Sequence, residues 1–419
     1  VSGSGGNGGD VYPFNRNEMR SDAPSEEDLR KMYGVEAFDQ PTGPAFRVTD
    51  WGMDRYDGVA PPIDWLIEGV LPKATPGLLA SIGGIGKSYL LLDLCVRVAV
   101  GPGSGIGKQI ALGGEILKQG RAVMLTWEES HSAVHRRLDQ ILNPVEKEKL
   151  QDHLFVVPIP DTGRPVVFMK TVHGEYQMTA LWTEVCSQIT ELKPDLIVLD
   201  PLQALVQSDI NADPAAAQCW WTAVSQLTAQ TGACLLVAHH LRKDNNIDGP
   251  MSARAAIRGT SALVDGARWV YALWVASEDD RHTVSEAMDY PVGLLEMVHG
   301  AVVKSNDISM TDQRTYLRDP ETGLLNDRTE ELMEEIADAQ KISEEQKTAI
   351  FTEVSRRWEI ENPFSGHPNA GDRYLGRYMM RQYRITRVAA RDHIRQWMDD
   401  GFLVKQYHST ARKPGLRVG

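Results

Sequence analysis

The residues with the most evident chemistry stand together in Ser81-Ile82-Gly83-Gly84-Ile85-Gly86-Lys87-Ser88-Tyr89. Three glycines let successive backbone N–H groups close around a β-phosphate. The lysine that follows is a point charge for the β- and γ-phosphates, and the serine is an oxygen ligand for magnesium. Such a loop needs a buried strand before it and a helix after it, whose N-terminus adds its own positive end, and LLA ahead with YLLLDL behind meets both needs. The pattern is a P-loop and calls for ATP and Mg2+, with Ser81 where the strict form has glycine. A second glycine-rich stretch, GPGSGIGKQ at 101–109, has Gln109 in place of the serine or threonine and no apolar run leading in, so it reads as a loop. Lys87-Ser88 directly after the glycines also has no role in a dinucleotide fingerprint.

A magnesium-bound phosphate needs a carboxylate at the end of another buried strand. DLIVLDPLQAL supplies Asp200 after four apolar residues, as a partner of Ser88 in the metal shell. Hydrolysis needs a base to orient water, and RAVMLTWEES ends an apolar strand in Glu128-Glu129. Glu128 is the expected base, while Glu129 suits a helix N-terminus.

The elements that must carry these groups are short apolar runs at 77–82, 122–127, 154–158, 196–200, 235–239 and 269–275, with helical stretches between many of them. Strand–helix alternation predicts an α/β fold with a mostly parallel central sheet covered by helices. The expected division is a flexible N-terminal arm at 1–60, an ATPase domain at 61–315, a linker at 316–340 and a small C-terminal domain at 341–419. In the last, helical patterns near 344–358, 373–383 and 386–399 precede two short strands around a basic turn, a winged-helix-like order.

Charge divides along the same line. The chain carries −13 overall, but residues 340–419 hold 15 Lys and Arg against 9 Asp and Glu, leaving 29 basic and 48 acidic side chains elsewhere. Attraction to phosphates is therefore local. Arg373, Arg377 and Arg381, and again Arg387, Arg391 and Arg395, recur every four residues and predict two arginine stripes on helix faces. Arg387, Arg391 and Arg395, after a Thr386 N-cap, suit a recognition helix for duplex DNA, with Lys405, Arg412 and Lys413 on the wing. No apolar run approaches the ~18 residues of a membrane span, and the four cysteines form no CxxC or Cys/His cluster. Both point to a cytoplasmic protein without membrane, zinc or disulfide.

The order strand, P-loop, strand-Glu and strand-Asp resembles the RecA-like P-loop ATPases, and finer phrases resemble the plasmid RepA-type hexameric replicative helicases over about residues 60–310. These phrases are PPIDWLIEGVLP, AVHRRL, LLVAHHLRK, IRGTSALVDGARW and VVKSND. The resemblance implies a homo-hexamer with ATP between subunits, driving movement on single-stranded DNA. It implies that His240 couples the γ-phosphate to the DNA loop, that Arg268 is an arginine finger and that Lys304 is a second cation acting in trans. Lys243 and Arg254, in the polar stretch between His240 and Arg258, are the expected contacts to single-stranded DNA. The C-terminal domain lies outside the resemblance. A RecA-like loader, recombination or regulatory factor, and an ATP-gated DNA-binding regulator, stay open as alternatives.

Overall fold

The computed structural model describes residues 47–102, 109–242, 247–309 and 311–419. Two units are distinct, Val1–Pro62 and Ile63–Gly419. Of the first, whose residues 1–60 are the expected arm, the described part is two 3-10 turns, Val48–Trp51 and Met53–Tyr56, neither with a buried residue.

The second unit is built on a nine-stranded sheet. Its chain order is β1 (Pro76–Ser81), α1 (Lys87–Val100), β2 (Ala122–Thr126), α2 (His131–Ile141), β3 (Leu154–Pro158), α3 (Ala180–Leu192), β4 (Leu196–Asp200), α4 (Pro214–Thr231) and β5 (Cys234–His240). Then follow α5 (Pro250–Ala255), α6 (Ser261–Gly266), β6 (Trp269–Val275), α7 (Glu278–Met288), β7 (Met297–Ser305), β8 (Arg314–Arg318), β9 (Leu325–Asp327) and α8 (Thr329–Ala339). The spatial order is β9-β8-β7-β6-β1-β5-β4-β2-β3. From β6 to β3 every pairing is parallel, and β7, β8 and β9 extend the β6 side antiparallel.

Parallel strands covered on both faces must be apolar throughout, which is why LIVL of β4 and LLVA of β5 are continuous runs with no exposed residue. One face packs on α4 through Trp220, Val224 and Leu227, and the other on α1 through Leu91, Leu94 and Cys95. Asp213 caps α4 by accepting from the Ala215 N–H at 2.8 Å, and Pro214 occupies the first turn, where its missing N–H costs nothing. Trp221 Nε1 donates to the Leu263 carbonyl at 2.8 Å, so this tryptophan pair is core rather than a stacking platform.

Residues 316–340, the expected linker, complete β8, form β9 and build α8, whose Leu332 and Ile336 pack on Val284 of α7. Arg314 holds this segment down through Asp327 at 2.9 Å and Glu330 at 2.7 Å. The acidic solvent face of α8 hid its apolar stripe, and β8 and β9 are too short and polar to stand out as strands.

Beyond it, α9 (Glu344–Glu359), α10 (Leu375–Tyr383), α11 (Arg387–Asp399) and a hairpin of β10 (Leu403–His408) with β11 (Lys413–Val418) share a core of their own around Ile350, Phe364, Trp397 and Leu416. Arg373 departs from the expected stripe. It lies in a 3-10 turn before α10, and its guanidinium donates to the Pro363 and Pro414 carbonyls, pinning the hairpin to the helices.

Candidate nucleotide site

Register puts the ends of four strands side by side. His240 of β5 pairs with Ser81 of β1, and Asp200 of β4 pairs with Thr126 of β2. All four are at the carboxyl edge of the parallel strands, where open α/β sheets collect their ligands. From that edge β1 turns into α1 through Gly84 and Gly86 at φ +82° and +97°, values that residues with a Cβ rarely adopt. Gly86 is the N-cap of α1, so Lys87 is its first residue, with half-buried Ser88 and buried Tyr89 next.

Lys87 Nζ lies 2.6 Å from Asp200 Oδ1, both side chains buried, which neutralises the lysine. The other carboxylate oxygen, Asp200 Oδ2, is buried with no hydrogen-bond partner among the described residues, and so is Thr126 Oγ1 on the neighbouring strand. A lone pair left so is costly unless something fills it. A magnesium ion with its water shell, which favours hard oxygen donors, fits Asp200 Oδ2 and the Ser88 hydroxyl.

The two glutamates after β2 are separated by their surroundings. Glu129 is held by Arg137 of α2 at 2.6 Å, and Arg137 in turn lies over the Tyr89 ring at 5.1 Å, whose hydroxyl donates to Gln140. Burial nonetheless raises the Glu129 carboxyl above its ordinary range. This chain locks α2 onto α1 and occupies Glu129. Glu128 is exposed and without an ion pair among the described residues. The electrostatic surroundings of His240 include Lys87, Glu128, Asp200 and Arg258, so three of the expected catalytic groups, Lys87, Glu128 and His240, gather on one edge with Asp200. Burial, with Lys87 second, pushes the His240 imidazole below its ordinary value.

The adjoining His239 was missed in the sequence, although it shares the strand end. It is wholly buried on the opposite face of β5, and its Nε2 donates to the Arg258 carbonyl at 2.7 Å, which leaves Nδ1 as an unpartnered acceptor. Burial brings its pKa down to about 4. The Arg258 N–H donates to the His240 carbonyl at 3.0 Å, the Arg242 N–H to the Ala256 carbonyl at 2.7 Å, and Leu241 bridges Ile257. Residues 241–242 and 256–258 thus pair into a stem that closes on the two histidines. Lys243 lies outside the described residues. Arg254 is on α5, 3.8 Å from Asp265.

Arg268 and Lys304 are elsewhere. Trp269 pairs with Gly77, the amino end of β1, whereas the P-loop leaves its carboxyl end, about 13 Å further along the strand at ~3.3 Å per residue. Arg268 is exposed, and no hydrogen bond or ion pair holds its side chain among the described residues. Lys304 is half-buried. Its Nζ donates to the carbonyls of Val264 at 3.1 Å, Asp265 at 2.6 Å and Ala267, capping α6 immediately before Arg268. Desolvation lowers its pKa.

On the C-terminal helix α11, Arg387, Arg391 and Arg395 are all exposed on one side, while Ile394 and Trp397 are buried on the other. Arg391 has a loose contact to Asp392 at 3.4 Å.

The AAA domain family matches residues 42–246 of this chain. The DNA repair protein RadA of Halalkalibacterium halodurans is 26% identical over 182 residues, 42% of this chain and 30% of that protein. The chain therefore spans under a third of the length of that curated relative. Among solved structures, the flagellar accessory protein FlaH of Methanocaldococcus jannaschii is 12% identical, covering 62% of this chain and 92% of that one with a TM-score of 0.39. A KaiC-like protein of Pyrococcus horikoshii OT3 is also 12% identical, covering 62% and 93% with a TM-score of 0.37. No described helix is long and apolar enough to cross a membrane.

Proposed function

We propose that this chain, a RecA-like P-loop ATPase, is an ATP-dependent helicase or translocase that works as a homo-hexamer on single-stranded DNA, in the manner of the plasmid RepA-type helicases. The observation that carries this reading is the stem formed by residues 241–242 and 256–258: it is hydrogen-bonded to His239 and His240, and His240 shares the sheet edge with Lys87, Asp200 and Glu128. A change at the γ-phosphate therefore has a short bonded route to the polar stretch of sequence that holds Lys243 and Arg254.

In this reading Lys87 leaves Asp200 for the β- and γ-phosphates, which releases the carboxylate to the magnesium shell with Ser88. The bound magnesium ion supplies charge neutralisation between the phosphates. Glu128, free of any ion pair, orients the attacking water, while Glu129 stays with Arg137. His240, neutral at pH 7, hydrogen-bonds the γ-phosphate side and passes its loss to the loop stem. Arg268, at the far end of β1 from its own P-loop and unpartnered, serves the nucleotide of a neighbouring subunit, with Lys304 holding its loop. The exposed arginines of α11 favour contact of the C-terminal domain, read as winged-helix-like, with duplex DNA.

The test is ATP hydrolysis with and without single-stranded DNA, together with strand displacement. The reading predicts stimulated hydrolysis and unwinding in the wild type, and in His240→Ala retained nucleotide binding with no stimulation. Hydrolysis indifferent to DNA, with no displacement, would favour a loader or regulator instead.

A further inference from the structure

Arg318, at the end of β8, has no carboxylate partner among the described residues although it is half-buried. Its neighbour Asp319 is already committed: Oδ1 accepts from the N–H groups of Glu321 and Thr322 at 3.0 and 2.7 Å and from the Thr322 hydroxyl at 2.8 Å. The guanidinium instead spreads over three carbonyls from three segments. Nε donates to Leu295 at 3.1 Å and Nη1 to Gly323 at 3.1 Å, while Nη2 reaches Gly84, inside the P-loop, at 3.5 Å. The same Nη2 and the Leu325 side chain lie 3.3 Å from where a Cβ on Gly86 would stand. A residue 234 positions away in the chain thus braces the phosphate loop, and its planar fork spreads separate nitrogens over carbonyls of three different segments. Burial lowers its pKa without removing its charge.

In a trans peptide the C=O and the following N–H point in opposite directions. A donor on the Gly84 carbonyl therefore sets the direction of the Ile85 N–H.

We propose that Arg318 is a positioning residue of the nucleotide site, holding the Gly84 carbonyl outward so that the Ile85 N–H faces the phosphates and placing a second positive charge behind the loop. The inference rests on reading residues 81–89 as the nucleotide site. It concerns the phosphates alone, so it applies equally to ATP, ADP and any other diphosphate.

The experiment compares full-length wild type, Arg318→Ala and Arg318→Lys for binding of ATP, ADP and inorganic pyrophosphate by calorimetry, and for KM and kcat. In Arg318→Ala all three affinities fall by a common factor of about ten, the loss of roughly one charge-assisted hydrogen bond. KM for ATP rises in step, kcat at saturation stays within about twofold, and Arg318→Lys recovers part of the binding through its charge. Arg318→Gln, which keeps a donor without the charge, covers the case of Arg318→Ala failing to fold, and the same common loss is expected of it.

Unchanged affinities in folded variants overturn the proposal. So does a loss confined to ATP and ADP with pyrophosphate spared, which would make Arg318 a base or ribose contact. A lower melting temperature with binding intact reduces it to a staple of the β8–β9 turn and overturns it as well. A wild type that binds none of the three ligands defeats the nucleotide-site reading itself, a failure separable from the others.

Discussion

At the scale of single residues, the decisive distinction is between the adjacent glutamates Glu128 and Glu129, whose surroundings differ although their place in the sequence is nearly the same. Glu129 is spent on Arg137, which also covers Tyr89, so it belongs to the contact between α1 and α2. Glu128 is the free carboxylate. Glu128→Gln is expected to bind ATP and lose hydrolysis by about 10²–10⁴-fold, the usual worth of a positioned base. Glu129→Gln should keep most of its turnover while its melting temperature falls, because the Arg137 guanidinium loses its partner. Single-turnover hydrolysis and thermal unfolding of both variants check the pair, and the reverse order of activities would move the base to Glu129. His239 allows a second test. An unfolded histidine titrates near 6.5, while burial takes this one to about 4, so as pH falls the unfolded chain gains its proton first. The contribution of His239 is whole above pH 6.5 and is lost as pH falls toward 4, by up to about 3 kcal/mol. Urea unfolding at a series of pH values should give a shallower acid-side decline for His239→Gln than for the wild type.

At the scale of elements, α6 and the strands on either side of it link the proposed finger to the sheet. Lys304 reaches from β7 to the last carbonyls of α6, two of which would lose their donor if it were removed. Arg268 follows directly, itself anchored by its N–H to the Pro76 carbonyl at 2.9 Å. If Lys304 acts by holding Arg268, Lys304→Met and Arg268→Ala should each reduce hydrolysis, and the double variant should be no worse than Arg268→Ala alone. Additive losses would mean that Lys304 meets the nucleotide independently. Mixing Arg268→Ala with Lys87→Ala subunits gives the complementary measurement. Some activity should return in mixed oligomers, since an intact P-loop then faces an intact Arg268 across an interface.

At the scale of the molecule, the chain joins an acidic body built on the nine-stranded sheet to a basic C-terminal segment with a separate core. Side-chain contacts mark the place to cut: α8 packs on α7 of the sheet-bearing body, whereas Gln340 hydrogen-bonds Thr386 and His393 of the C-terminal segment. Removing residues 340–419 should leave ATP hydrolysis within about twofold. Duplex-DNA binding should weaken, with a shallower dependence on salt as fewer counterions are released. Gel shifts at several salt concentrations measure this. An unchanged affinity and salt slope would make the domain a protein-docking surface.

What the sequence determined by itself was local. The glycine spacing around Lys87, the apolar runs ending in Asp200 and Glu128, and the strand–helix alternation each arise from a few consecutive residues, so the P-loop and the mostly parallel sheet could be read in advance and the two carboxylates named as candidates. The elements within 316–340 could not, because a three-turn acidic helix and two short strands at one side of the sheet carry too little apolar periodicity to stand out until their partners are known. Nor could the arginines be ranked. Arg373 and Arg391 look alike in the sequence, yet one staples a hairpin and the other faces solvent. The buried orphan oxygen of Asp200, the capture of Glu129 by Arg137 and the reach of Arg318 to Gly84 depend on side chains brought together from distant segments. Only tertiary packing sets which polar group finds a partner and which is left free for a ligand.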